Sequence, residues 1–212
     1  PKMSNRHVLI TGKSGQGKTY AIHGMFMELA KQNIPVVIFD YTGGFVPSKL
    51  EPELTKELDG KIHQQIVRIN KLKINPFKIQ ELNFDGIVIP EDVVDVSERI
   101  KDILVHVYDF GEQQGAAVYL ACKNGLTKYN EKMNFNYFKE ELIKLGTKEA
   151  KSVYNKIISF LDYDIFDTET ESDWDKILYN DGEVTVFQLT PVQSKDMQIA
   201  ITEMILWDMW YY

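Results

Sequence analysis

An α/β fold built on a parallel sheet is what the sequence predicts, on three observations. A short apolar run, His7-Val8-Leu9-Ile10-Thr11, leads through a glycine-rich turn into a helical rhythm from Tyr20 to Lys31. After the break at Asn33-Ile34-Pro35, Val36-Val37-Ile38-Phe39 reads as a fully buried strand ending in Asp40, and this strand–helix–strand order makes the two strands parallel. A third run, Val184-Thr185-Val186-Phe187-Gln188-Leu189, is rich in β-branched residues and again precedes a helix.

The stretch joining the first strand to the first helix carries the chemistry. Gly12-Lys13-Ser14-Gly15-Gln16-Gly17-Lys18-Thr19 fills every fixed position of the phosphate-loop pattern G-x-x-x-x-G-K-[ST]. Gly12, Gly15 and Gly17 admit backbone dihedrals closed to residues with a Cβ, so that successive N–H groups can face phosphate oxygens. A helix starting near Lys18 adds the positive end of its dipole. Lys18 is the expected catalytic charge on the β- and γ-phosphates, and the Thr19 hydroxyl the expected magnesium ligand. The expected ATP-binding set is therefore Gly12, Ser14, Gly15, Gln16, Gly17, Lys18, Thr19 and Tyr20, with ATP and Mg2+ as cofactors. Lys13 and Gln16 are variable loop positions with no separate role.

Asp40 carries two readings. Four apolar residues ending in Asp resemble an acidic nucleotide-site motif, which would make Asp40 a catalytic or magnesium-holding carboxylate. The alternative is that it caps the turn Tyr41-Thr42-Gly43-Gly44.

The rest of the chain completes the α/β pattern and interrupts it once. Leu50 to Leu58 reads as a short helix and Ile66-Val67-Arg68-Ile69 as a strand, and Asn75-Pro76-Phe77 is a break in regular structure. Lys61, Arg68, Lys71 and Lys73 make the densest positive stretch, either a solvated face or a contact for nucleic acid or a partner. From Glu91 to about Asp164 the pattern is helical throughout, in four stripes, the first marked by Val93, Val96, Ile100, Ile103, Leu104 and Val107 behind Pro90-Glu91-Asp92. Asp162 to Asp175 is acidic and broken, as in a surface loop. Ser194 precedes a final helix from about Lys195, which runs to Tyr212 without a capping glycine or polar tail.

Four strands are thus expected, at 7–11, 35–40, 66–69 and 184–189. A core of residues 1–90 and 176–212 would hold them, with 91–175 as a helical insertion. Ending inside an aromatic helix after so few strands, the sequence is expected to be a piece of a longer protein.

Composition excludes several classes. The 212 residues carry 44% hydrophobic and 26% charged side chains, ordinary for a globular domain, and no apolar run approaches membrane-spanning length. With no secretory signal pattern, a cytoplasmic location is expected. Cys122 is the single cysteine, which excludes an intramolecular disulfide and a thiolate zinc cluster and reads as a buried thiol. The four histidines show no ligand spacing. A net charge of -7 argues against a broadly basic nucleic-acid surface, though not against a narrow basic channel.

Taken together, Leu9 to Thr19, Val37-Ile38-Phe39-Asp40-Tyr41-Thr42-Gly43-Gly44-Phe45, Ile74-Asn75-Pro76-Phe77 and Val184 to Leu189 resemble the HerA/FtsK superfamily of DNA-pumping ATPases. Within it they are most similar to the HerA-type ATPases of DNA-phosphorothioation-dependent restriction systems, the DptH group. The resemblance implies a P-loop NTPase (RecA-like) three-layer core with a parallel sheet, incomplete here, plus the helical insertion. It also implies a homo-oligomeric ring with ATP sites at subunit boundaries, hydrolysis coupled to movement along DNA, possible restriction-system partner proteins, and no membrane.

The resemblance carries Gly12, Gly17, Lys18 and Thr19 onto the phosphate site. The family's acidic pair does not follow Leu189, so the water-activating glutamate is expected outside this sequence. An arginine finger would have to come from Arg6, Arg68 or Arg99, with Arg99 either at a lateral surface or simply salt-bridged. Two rival functions remain: a small phosphotransferase using Asp40, against which stands the absence of arginine from 110 to 212, and a non-hydrolysing nucleotide-binding interaction domain.

Overall fold

A computed structural model describes residues 8–212; Arg6 and His7 lie outside the described residues. The elements in chain order are α1 (Lys18–Lys31), β1 (Val36–Asp40), α2 (Pro52–Glu57), β2 (Ile62–Ile66), β3 (Glu81–Phe84), β4 (Ile87–Pro90), α3 (Val93–Tyr108), α4 (Glu112–Tyr129), α5 (Phe135–Lys144), α6 (Lys148–Asp162), α7 (Trp174–Leu178), β5 (Val184–Gln188) and α8 (Lys195–Tyr211). They divide into two compact units, one of residues up to 64 together with 175–188, the other of 65–174 and 189–212. The sequence pattern suggests divisions at 90/91 and 175/176 instead.

The first unit holds a three-stranded sheet in the order β1-β5-β2. β1 and β5 run parallel from Val36 opposite Val184 to Asp40 opposite Gln188. Every residue of β5 is buried, as expected of a central strand, and Phe39 stacks on Phe187 at 5.4 Å. Phe26 and Ala30 of α1, Leu54 of α2, and Val184 and Val186 of β5 form one apolar core with Phe45, Leu50 and Leu58. Fully burying each large side chain there contributes about 1.5–3 kcal/mol. A ladder of amides closes the sheet's far end: Gln188 Nε2 donates to Gln64 Oε1 (2.9 Å), and Gln64 Nε2 donates to the Phe45 carbonyl (3.0 Å).

Two of the expected strands differ. Residues 8–11 carry no strand, and Val8 and Leu9 are 70% and 88% exposed. An apolar run becomes a strand only with a ladder partner, and among the described residues the sheet offers this one none. The strand expected at 66–69 lies instead at 62–66. The Ile66 N–H donates to the Asn70 side chain, and the Ile69 and Asn70 N–H groups both return to the Ile66 carbonyl, turning the chain where the apolar run suggests extension.

In the second unit the four expected helices form as α3 to α6. α4 packs on α3, α5 and α6, and α8 packs on α3. Their starts are set by side-chain caps. Asp92 accepts from the Val94 and Asp95 N–H groups while Asp95 accepts from the Asp92 N–H, and Asn134, Thr147 and Ser194 cap α5, α6 and α8. Phe135 sits against Phe77, Phe138, Phe160 and Phe166 with ring centroids 4.8–6.2 Å apart, edge-to-face on the first three and tilted on Phe166, and the Phe135–Phe160 pair joins α5 to α6. Cys122 is fully buried on α4, and burial pushes its thiol up to about 12, which leaves it unreactive.

The segment from Asp162 to Asp175 is more anchored than its acidity suggests. Leu72 pairs with Phe166 as a parallel bridge, Ile165 and Phe166 are buried, and Trp174 Nε1 donates to Asp208 Oδ2 at 2.8 Å. The antiparallel hairpin β3–β4 is not among the expected elements, although Asp85-Gly86 marks it. Both residues take positive φ (50° and 83°), as a two-residue hairpin turn requires.

Arg99 is buried, not lateral. Its Nη1 donates to both Glu91 carboxylate oxygens at 2.7 Å, and its Nη2 donates to the carbonyls of Pro76 and Lys78 at 3.3 and 2.8 Å. With side-chain exposures of 6% and 9%, the pair is sealed from solvent. Replacing Arg99 by Ala leaves the Glu91 carboxylate buried without its partner. A loss of about 3–5 kcal/mol in unfolding free energy is expected in urea denaturation of the variant.

Candidate nucleotide site

The loop of residues 12–17 takes its shape from two glycines and one lysine. Gly15 (φ 80°) and Gly17 (φ 76°) occupy the left-handed region, where a side chain would be strained. Gly12, expected to do the same, does not have positive φ. A Cβ there would stand 3.3 Å from Gln16 Oε1, the movable end of an exposed side chain, and at ordinary contact distance from Lys18 Cγ. Lys18 Nζ folds back over the loop and donates to the carbonyls of Gly12 (2.8 Å) and Lys13 (2.7 Å). Gln16 has a structural role that the sequence does not show, because its Oε1 accepts from the Lys13 N–H at 3.2 Å.

α1 begins at Lys18 with Gly17 as its N-cap. No side chain caps it, and its first turn holds no acid. Helices α3, α5, α6 and α8 each spend a side-chain oxygen on their first N–H groups; α1 keeps those groups and the positive end of its dipole facing the loop. Ser14, Thr19 and Tyr20 are exposed at the same end. Glycine backbone, an uncapped helix start and a lysine ammonium together form a cradle whose chemistry fits a polyphosphate. The Thr19 hydroxyl is the oxygen available there for a hard cation. Among the described residues, no three His, Cys, Asp or Glu side chains gather into a metal cluster.

Asp40 ends β1 and is 2% exposed. Its Oδ1 accepts from the N–H groups of Thr42 (3.0 Å), Gly43 (2.8 Å) and Gly44 (3.1 Å) and from the Thr42 hydroxyl (3.4 Å), and its Oδ2 accepts from the Phe45 N–H (2.8 Å). Of its two sequence readings, this geometry favours the turn anchor, because both carboxylate oxygens are already engaged by the turn. Burial works to raise its pKa, but the N–H groups of Phe45, Thr42, Gly44 and Gly43 outweigh it and hold the carboxyl below the ordinary value of 3.8.

The anchored turn lies against the start of α1. A Cβ on Gly44 would stand 3.2 Å from Thr19 Cγ2, so glycine lets the turn approach this closely without displacing Thr19. His23, one turn further along α1, is buried. Its Nε2 lies 3.3 Å from the Gly44 carbonyl, and its ring meets Phe26 and Phe45 edge-on at 5.7 and 5.1 Å. In the sequence His23 is one of four scattered histidines with no assigned role. The signal that could have found it is helical spacing, since Thr19, His23 and Phe26 fall on one face of α1.

Asp40 also gives the site a pH signature. A carboxyl held low in the folded chain contributes stability that is complete above its ordinary value of 3.8 and is lost as pH falls through the lower folded-state value. Asp40→Asn removes that dependence and weakens five hydrogen bonds at once. The variant is expected to be about 1–3 kcal/mol less stable near neutral pH. Its unfolding free energy should also fall less steeply than that of the wild type below about pH 4, as thermal melts across that range will read.

Three comparisons with known proteins bear on this arrangement. The family model described as "Helicase HerA, central domain" matches residues 1–208. No individual curated protein matches the sequence. Among solved structures, VirB4 of Thermoanaerobacter pseudethanolicus has a similar fold, with a TM-score of 0.58 at 18% sequence identity; the match covers 94% of this chain and 55% of the VirB4 chain. At that identity the likeness speaks to fold alone, and the chain spans little more than half of the VirB4 chain. The α/β arrangement with its parallel three-stranded sheet is that of a P-loop ATPase. No described helix is long and apolar enough to cross a membrane.

Proposed function

The chain belongs to the HerA central-domain family, and on that premise we propose that it is the ATP-gripping portion of an ATPase motor that moves along DNA. The observation that carries the reading is the loop of residues 12–19, where an uncapped helix start and the Lys18 ammonium converge. With ATP bound, Lys18 would exchange the carbonyls of Gly12 and Lys13 for phosphate oxygens. The N–H groups of the loop and of the first turn of α1 take the remaining phosphate oxygens, with Gly12, Ser14, Gly15, Gln16, Gly17 and Tyr20 lining the cradle. The Thr19 hydroxyl would hold a magnesium ion, which would supply charge neutralisation to the phosphates. Asp40 acts at one remove, by fixing the turn that carries Gly44 against Thr19.

The family relationship also supports a homo-oligomeric assembly, and the sequence resemblance supports a DNA-restriction setting with partner proteins of that system. The phosphotransferase alternative loses its acid, because the Asp40 oxygens are engaged by the turn. The water-activating group and the arginine finger fall to residues outside the loop, since Arg99 is sealed against Glu91.

The motor reading is tested on the complete protein by measuring ATP turnover with and without duplex DNA. DNA is expected to stimulate turnover, and Lys18→Ala to lower it by about 100-fold or more. Turnover indifferent to DNA would count against the motor, and turnover indifferent to Lys18→Ala against the site.

A further inference from the structure

The second unit carries two surfaces of opposite character that the nucleotide reading does not use. One is a groove of about 590 Å³ between the hairpin, α3 and α8. The hairpin supplies an apolar wall of Leu82 and, opposite it, Ile89, both about half exposed, and Phe84 opposite Ile87 continues the same face beyond the groove. The facing ridge of α3 carries Asp95, Glu98 and Asp102 at helical spacing, and α8 adds Glu203 and Trp207. Glu91 is neutralised by Arg99, and Lys101 pairs with both Glu98 and Asp102, yet the Asp102 side chain remains 72% exposed. The groove is therefore apolar on one wall and net acidic on the other, a combination hostile to nucleic-acid phosphates.

The other surface is the turn after β2. Val67 and Leu72 are buried and anchor it from below, while the Ile66–Asn70 hydrogen bonds hold its shape. At its tip Ile69 is 75% exposed, flanked by exposed Arg68, Lys71 and Lys73. Arg68 is held in place by its guanidinium over the Tyr163 ring (4.4 Å) and its bond to the Pro191 carbonyl (3.4 Å), and Lys71 by its pairing with Asp164. It is a rigid knob with an apolar point and a basic collar.

We propose that the knob of residues 68–73 on one copy of this chain docks into the acidic, apolar groove of a second copy. Ile69 would meet the hairpin face, and Arg68 and Lys73 the α3 ridge carrying Asp95 and Asp102. The occupant is chosen by complementarity: the same chain offers a preformed segment with both the charge and the apolar tip that the groove lacks. Each copy would present the knob to one neighbour and the groove to the other, a head-to-tail contact that continues through further copies. This deepens the assembly part of the function proposed above and is independent of its nucleotide part.

Charge reversal tests it, with self-association of the full chain measured by sedimentation equilibrium. The wild type is expected to self-associate. Reversing the groove (Asp95→Arg with Asp102→Arg) or the knob (Arg68→Glu with Lys73→Glu) should each weaken association about 100-fold. Mixing the two reversed variants, or combining all four changes in one chain, should restore it, because each acidic surface again meets a basic one. Association is measured without nucleotide, so failure of the nucleotide reading and failure of this contact are read separately. A wild type that stays monomeric, reversals without effect, or reversed variants that keep the wild-type melting temperature yet fail to recover on mixing would each overturn the proposal.

Discussion

The arrangement at the glycine-loop end of the first unit depends on where α1 leaves its first N–H groups. A helix start without a capping side chain keeps several donors and about half a positive charge directed outward. In α1 nothing from the side chains answers them, and the sequence places Gly15 and Gly17 at the positive φ values that bring the loop round to face them. Lys18 satisfies its own ammonium on two loop carbonyls, contacts that phosphate oxygens can replace at little cost. The strand β1, the Asp40 turn and the His23 contact all act to hold that helix start in place.

Asp40 shows how a charged group can be buried for a structural purpose. An isolated carboxylate at 2% exposure would be costly, and four backbone N–H donors compensate it. The product is a tight turn whose Gly44 fits against Thr19. Position in sequence, directly after an apolar run, gives the same signal for a metal-holding aspartate and for a turn anchor; the hydrogen bonds separate the two. Arg99 is a parallel case, since an arginine on an amphipathic helix reads alike whether it faces a neighbour or, as here, closes on Glu91 and two carbonyls.

Much of the fold is legible in the sequence because it is written locally. Val184 to Gln188 is β-branched and becomes the buried central strand, while Asp92, Asn134, Thr147 and Ser194 each precede a helix that starts where they stand. The illegible parts depend on which partner a backbone group finds, whether far along the chain or a few residues on. Val8 and Leu9 have the composition of a strand but no ladder partner among the described residues. Ile66 to Ile69 looks extended until Asn70 accepts the Ile66 N–H and bends the chain. The hairpin at Asp85-Gly86 is the exception, since its turn is a local signal and yet the strands beside it were not expected. In the candidate site the loop's residues are plain from spacing, whereas helical spacing places His23 on the face of α1 shared with Thr19 and Phe26 but does not name its partner, the Gly44 carbonyl 21 residues on.

The central claim is that residues 12–19 bind ATP with magnesium through Lys18 and the uncapped start of α1. Isothermal titration of the chain with a non-hydrolysable ATP analogue tests it most directly, with and without magnesium, in the wild type and in Lys18→Ala. Saturable binding by the wild type is predicted, strengthened by magnesium and lost in Lys18→Ala. Binding of equal strength in the two proteins, or none to the wild type at millimolar analogue, would contradict it.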